Sequence, residues 1–128
     1  MMLWYIYFLG GIQMRVAVIG SRTLTVPNLA DYLPADTTEL ISGGAKGVDT
    51  SARNYALANH LPLTELRPNY RRYRKGAPLK RTIDIIQQAD FVLIFWDGAS
   101  KGTRYAIEQC KKLAVAYRVY RKDAASTE

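Results

Sequence analysis

Ser42-Gly43-Gly44-Ala45-Lys46-Gly47-Val48-Asp49 is the stretch of this chain best suited to chemistry. It follows a short apolar run, Glu39-Leu40-Ile41, and opens a helix-like segment, Thr50 to Asn59. Its three glycines, Gly43, Gly44 and Gly47, allow positive φ and let a ligand touch bare backbone. The amides that follow are the unpaired donors of a helix N-terminus, where the macrodipole favours an anion. Strand, glycine turn and helix together make a device for holding phosphate. A tight βα turn that needs small residues is the plainer alternative.

Two further loops share this make-up. Gly20-Ser21-Arg22 follows the apolar run that ends at Ile19, and Asp97-Gly98-Ala99-Ser100-Lys101-Gly102-Thr103 follows Phe91 to Trp96. In a parallel sheet all three loops emerge at the carboxyl edge, where open α/β sheets bind ligands. Ser21 and Arg22 supply a hydroxyl and a guanidinium suited to phosphate or carboxylate. Gly43, Gly44, Ala45 and Gly47 supply amides, with Lys46 as a mobile counter-charge. Asp49 is either a carboxylate favoured by the helix dipole or an acceptor for a ribose hydroxyl. Ser100, Gly102 and Thr103 form a second small-residue cradle beside Gly98, and Asp97 either caps the next helix or accepts from a sugar. Neither the dinucleotide fingerprint nor a Walker A loop is present, since Gly-x-Gly-x-x-Gly and Gly-Lys-Ser/Thr are both missing.

Such loops need a frame, and the apolar pattern supplies it. From Met14 onward short strands alternate with amphipathic segments, which predicts an α/β fold. The expected architecture is a single Rossmann-like domain, residues 14–121, with an open parallel sheet of about five strands and helices on both faces. Strands are expected at Met14–Ile19, Glu39–Ile41, Leu63–Leu66, Phe91–Trp96 and Val115–Tyr120. Pro27 fits the first turn of a helix reaching about Leu33, before Pro34. Val48, Ala52, Tyr55, Ala56 and Asn59 share a helical face. Arg67 to Gly76 reads as a polar basic loop. Ala77 to Gln88 reads as a helix with Leu79, Ile83 and Ile86 inward, and Lys101 to Leu113 as the last helix. His60 reads as a helix end. Residues 122–128 form a polar tail.

The chain has 128 residues, a formal net charge of +7 and a pI near 9.7. That balance implies an anionic partner. Seven of the 18 Lys and Arg residues fall between Arg67 and Arg81 (Arg67, Arg71, Arg72, Arg74, Lys75, Lys80, Arg81). One cysteine excludes an internal disulfide and, with one histidine, leaves no set of zinc ligands, so neither a metal nor a cofactor is expected. A reducing, cytoplasmic setting and no membrane association are expected. The apolar extension 1–13, with Leu3 to Leu9 at its centre, is too short to cross a bilayer and lacks the features of a signal peptide. It reads either as an added edge strand or as a segment ahead of a natural start at Met14.

Gly20-Ser21-Arg22, then Ser42 to Asp49, then Arg81, then Trp96-Asp97-Gly98-x-Ser100-x-Gly102-Thr103 together resemble the SLOG superfamily. These are Rossmann-like domains related to the Smf/DprA proteins and to the LOG (Lonely Guy) phosphoribohydrolases, and the likeness is nearest to the YspA-like branch. It spans roughly Met14 to Val119. It implies a nucleotide or nucleotide-derived ligand held by the three loops, and a homodimer or higher oligomer, to whose contact Trp4 to Leu9 would contribute. LOG enzymes use Gly-Gly-x-Gly-Thr-x-x-Glu and an upstream arginine. Gly102-Thr103 matches the Gly-Thr and Arg81 matches the arginine, but the glutamate position is Ala106. Glu108 points about 200° around the helix from it.

These readings lead to an expected ligand-binding domain, a sensor or carrier of a phosphorylated nucleotide. The alternative is an N-glycosidic hydrolase of nucleoside monophosphates, with Arg81, Asp49 and Asp97 as candidate catalytic residues. A third reading is single-stranded nucleic-acid binding, as in the DprA relatives. There Arg67, Arg71, Arg72, Arg74 and Lys75, interleaved with Tyr70 and Tyr73, would track a backbone and stack bases. The same basic segment reads otherwise as a flexible lid over the nucleotide site.

Overall fold

Five strands run parallel in the order β3-β2-β1-β4-β5 in the computed structural model, which describes residues 12–122. They are β1 (Arg15–Gly20), β2 (Glu39–Ser42), β3 (Leu63–Glu65), β4 (Phe91–Trp96) and β5 (Tyr117–Arg121). The helices are α1 (Val48–Ala58), α2 (Tyr70–Tyr73), α3 (Ala77–Gln88) and α4 (Lys101–Lys112). This is a Rossmann-like open sheet in one domain, as its pattern predicts. The extension read at 1–13 lies almost wholly outside the described residues, as does the tail beyond Lys122.

The sheet is covered on both faces because its strands are apolar on both. Val16, Val18, Leu40, Leu93 and Phe95 pack with Val48, Ala52 and Ala56 of α1. Ala17, Ile41, Val92 and Ile94 face the other way, against Ile85 and Ile86 of α3 and Ala106 and Cys110 of α4. Strand residues alternate between faces, so β4, buried on both sides, needs its continuous apolar run Phe91 to Trp96.

Several expectations are corrected. The helix expected from Pro27 to about Leu33 is only a 3₁₀ turn, Leu29–Asp31. A segment this short cannot sustain an α-helix by itself. Its aromatic also has another task, since Tyr32 stands edge-on to Phe95 at 5.0 Å and to Tyr120 at 4.7 Å. Arg67 to Gly76 is not an irregular loop: it folds into α2 and a 3₁₀ turn, Arg74–Gly76, with Asn69 accepting the Arg72 amide at 3.1 Å. Leu79 is not inward, being 45% exposed. It lies on the same face as Ile86 but two turns earlier, where α3 flanks the carboxyl edge instead of the sheet.

Candidate functional site

The site is built where the strand order reverses, between β1 and β4. Gly20 pairs with Phe95, so both strands end at one level and their loops begin side by side. The Ser21 amide donates to the Phe95 carbonyl at 3.0 Å, continuing the ladder by one bond. Gly20 must be glycine, because a Cβ there would lie 2.7 Å from the Phe95 carbonyl oxygen and 2.5 Å from Val48 Cγ2.

Ser21 does not face the opening. It is 1% exposed, and its Oγ accepts the Asp97 amide at 3.1 Å and lies 3.5 Å from Thr103 Oγ1. Its carbonyl accepts the amides of Leu24 and Val48, so one buried serine joins three loops. Asp97 is similarly occupied. Oδ1 accepts the amides of Ala99 and Ser100 at 2.9 and 2.8 Å, and Oδ2 accepts Thr23 Oγ1 at 2.8 Å. These donors, the two amides first, hold its carboxyl down to about 2. Asp97 therefore shapes the loop, while Ser100 caps α4 through the Thr103 amide. The amides of Lys101 and Gly102, at the start of α4, have no internal partner among the described residues.

The glycine loop after β2 is folded around a carboxylate. Asp49 is 8% exposed, and its Oδ2 accepts the Ala45 amide at 3.0 Å. The Gly44 amide donates to Ser42 Oγ at 3.3 Å, and the Val48 amide to the Ser21 carbonyl. Of the amides read as phosphate donors, those of Gly44 and Ala45 are thus taken up within the protein. Gly47 has φ +72, and a Cβ on it would lie 2.6 Å from the carbonyl oxygens of Ser21 and Arg22. Lys46 is exposed and Gly44 lies beneath the Arg67 guanidinium, so neither lines the opening; nor do Ser42 or Gly98.

Arg81 arrives from α3. Its Nη1 donates to the Gly43 carbonyl at 2.8 Å and to the Leu66 carbonyl at 3.3 Å. A Cβ on Gly43 would stand 2.5 Å from that nitrogen and 3.1 Å from Asp49 Oδ2, so glycine lets the arginine lie against the loop. Burial lowers the pKa of Arg81, and nearby Asp49 opposes that effect. Burial likewise pushes the Asp49 carboxyl up, against the Ala45 amide and the charge of Arg81.

Together these groups border a cleft of ≈ 510 Å³, within the usual range of small-molecule sites. Gly20, Arg22, Gly43, Ala45, Asp49 and Arg81 line it, together with Asp97, Ser100, Gly102 and Thr103. No family model matches the chain. Searches of curated proteins and of solved structures find no match either. What the cleft can do rests on its own residues.

Sequence reasoning missed part of the lining. Thr23 follows Gly20-Ser21-Arg22 directly, and that adjacency was its only signal. Pro78, Leu79, Thr82 and Ile85 line one wall from α3, a helix whose pattern reads as ordinary amphipathicity. The position of the LOG glutamate, Ala106, is fully buried under α4, and Glu108 is exposed. The basic residues of 67–75 do not line the cleft. Arg67 pairs with Glu65 at 3.5 Å, while Arg72 and Lys80 lie 5.4 and 5.8 Å from the Tyr73 ring centroid. Among the described residues, no three His, Cys, Asp or Glu side chains gather as a metal site, and no helix is long and apolar enough to cross a membrane.

Proposed function

We propose that this chain binds a phosphorylated nucleotide or nucleotide-derived ligand at the carboxyl edge of its sheet, as a sensor or carrier. The observation that carries this reading is the state of Arg81. It is half-buried, it lines the cleft, and among the described residues only its Nη1 donates to the protein. Among the described residues no carboxylate forms a salt bridge with it. A partly desolvated guanidinium with open Nη2 and Nε donors is suited to a bidentate anion. Arg22, exposed on the same cleft, and the open amide of Gly102 add to the attraction. The resemblance to the SLOG superfamily points the same way.

Thermal-shift and calorimetric titration with nucleoside monophosphates and ADP-ribose-like ligands test the proposal. Stabilisation at submillimolar ligand, lost in Arg81→Ala, is the expected result. No shift at millimolar concentration of any of them would overturn it.

N-glycosidic hydrolysis is a second reading, favoured by one observation. Asp49 is a buried carboxylate with a raised pKa on the cleft wall, which is the environment of many acid–base groups. Release of free base from a nucleoside monophosphate, abolished in Asp49→Asn, would establish it.

A further inference from the structure

The cleft combines two unlike surfaces. Arg22, the Arg81 guanidinium and the start of α4 bring charge and donors; Pro78, Leu79, Thr82 and Ile85, on the same helix α3 as Arg81, form a mostly apolar wall with Ile19. Leu79 is one of the few large apolar side chains left substantially exposed, and it is exposed on this wall.

The polar inventory of that wall is short. Pro78 has no amide hydrogen, and its carbonyl accepts Thr82 Oγ1 at 3.0 Å. That bond commits the wall's one hydroxyl proton. Leu79 and Ile85 have hydrocarbon side chains. A flat ring laid here meets methyl and methylene groups. Across the cleft, Thr23 donates to Asp97, and Ser100 and Thr103 share a hydrogen bond of 3.1 Å. The two arginines and the Gly102 amide are open donors of the cleft, and all suit an anion.

We infer that the cleft takes a planar heteroaromatic ring carrying a phosphate, holding the phosphate by charge and the ring chiefly by apolar contact with Leu79 and Pro78. The inference rests on the nucleotide reading above and narrows it: ligands are selected as nucleoside phosphates, and the four bases differ only within the range that apolar contact allows. A site that hydrogen-bonds a polar edge rejects its analogues by about 10⁴-fold or more, whereas apolar contact separates similar ligands by only about 10–200-fold.

Calorimetric titration of the full chain with the four ribonucleoside monophosphates and with ribose phosphate lacking a base tests this. The four nucleotides should bind within about 200-fold of one another, and the baseless phosphate at least about tenfold more weakly than the nucleotides. Leu79→Ala, an exposed position whose truncation leaves the core intact, should close that gap by weakening the nucleotides alone. Equal binding of the baseless phosphate, a single base favoured by more than about 200-fold, or unchanged nucleotide affinity in Leu79→Ala would each overturn the inference while leaving phosphate binding standing. If neither nucleotides nor ribose phosphate bind, the proposed function fails and the inference with it.

Discussion

The Ser21 hydroxyl accepts the amide of Asp97 at 3.1 Å, across 76 positions of sequence, and this bond seams the two loops that flank the reversal of strand order. Removing the acceptor leaves a part-buried amide without a partner. Ser21→Ala should destabilise the fold by about 1–2 kcal/mol. A lowered denaturation midpoint with an unchanged slope would show this, and an unchanged midpoint would refute the seam. Nucleotide affinity should fall as well, because Asp97 and Thr103 would no longer be held to β1.

Two glycines should respond in opposite senses. Gly47→Ala places a Cβ against two backbone carbonyls at φ +72, and neither carbonyl can rotate away. A loss of at least ~2 kcal/mol is expected. Gly102 has open space where its Cβ would be and sits in the first turn of α4. Gly102→Ala should raise stability by up to about 1 kcal/mol through backbone entropy. Thermal melts of the two variants side by side would decide it.

Asp49 should make the fold less stable as pH rises. Its folded pKa is raised by burial, so its contribution is fully present below the unfolded value of 3.8 and is lost as pH climbs through the folded value. Asn keeps an acceptor for the Ala45 amide without the charge. Asp49→Asn should therefore melt above the parent at neutral pH, with the advantage shrinking towards pH 4. An advantage that is constant with pH would contradict the burial argument.

Asp97 should behave in the reverse manner. Three hydrogen-bond donors hold it ionised, so its support of the loop is complete above 3.8 and fades as pH falls towards about 2. A carboxyl-carbon NMR titration should place its midpoint near 2, well apart from that of Asp49. A midpoint in the ordinary carboxylate range would mean that the amides of Ala99 and Ser100 do not hold it.

Ala106 offers a check on the LOG-like pattern. Installing the missing glutamate would bury a charge between α4 and Ile94, Val92 and Ile85. Ala106→Glu should cost 4 kcal/mol or more, about the upper range for single substitutions, and should confer no hydrolysis. Soluble, folded Ala106→Glu protein that releases base would refute this placement.

Much of the frame was legible from pattern alone. Phe91 to Trp96 announced a strand buried on both faces, and Ala77 to Gln88 a helix with matching bounds. Local pattern failed where a neighbour intervened. The residues around Leu29 look helical until Tyr32 is seen packed on Phe95 and Tyr120. The segment after Arg67 looks like a loop until Asn69 caps it and Tyr73 gathers Arg72 and Lys80. Leu79 has the periodicity of a core residue, but periodicity states a face and not how far the sheet extends beneath it.

The loop from Ser42 to Asp49 separates the two kinds of knowledge. By itself the sequence determined that three glycine-and-hydroxyl loops follow three parallel strands, because strand alternation and glycine conformations are local properties. Only the tertiary structure decided which polar groups remain open to a ligand. Asp49 takes the Ala45 amide, Ser21 takes that of Asp97, and Arg81 reaches Gly43 across 38 positions. Those partners are set by strand order and by the placing of α3, which bring distant residues within hydrogen-bond range. The glycine loop is thus less a phosphate cradle than the seat on which Arg81 is held towards the cleft.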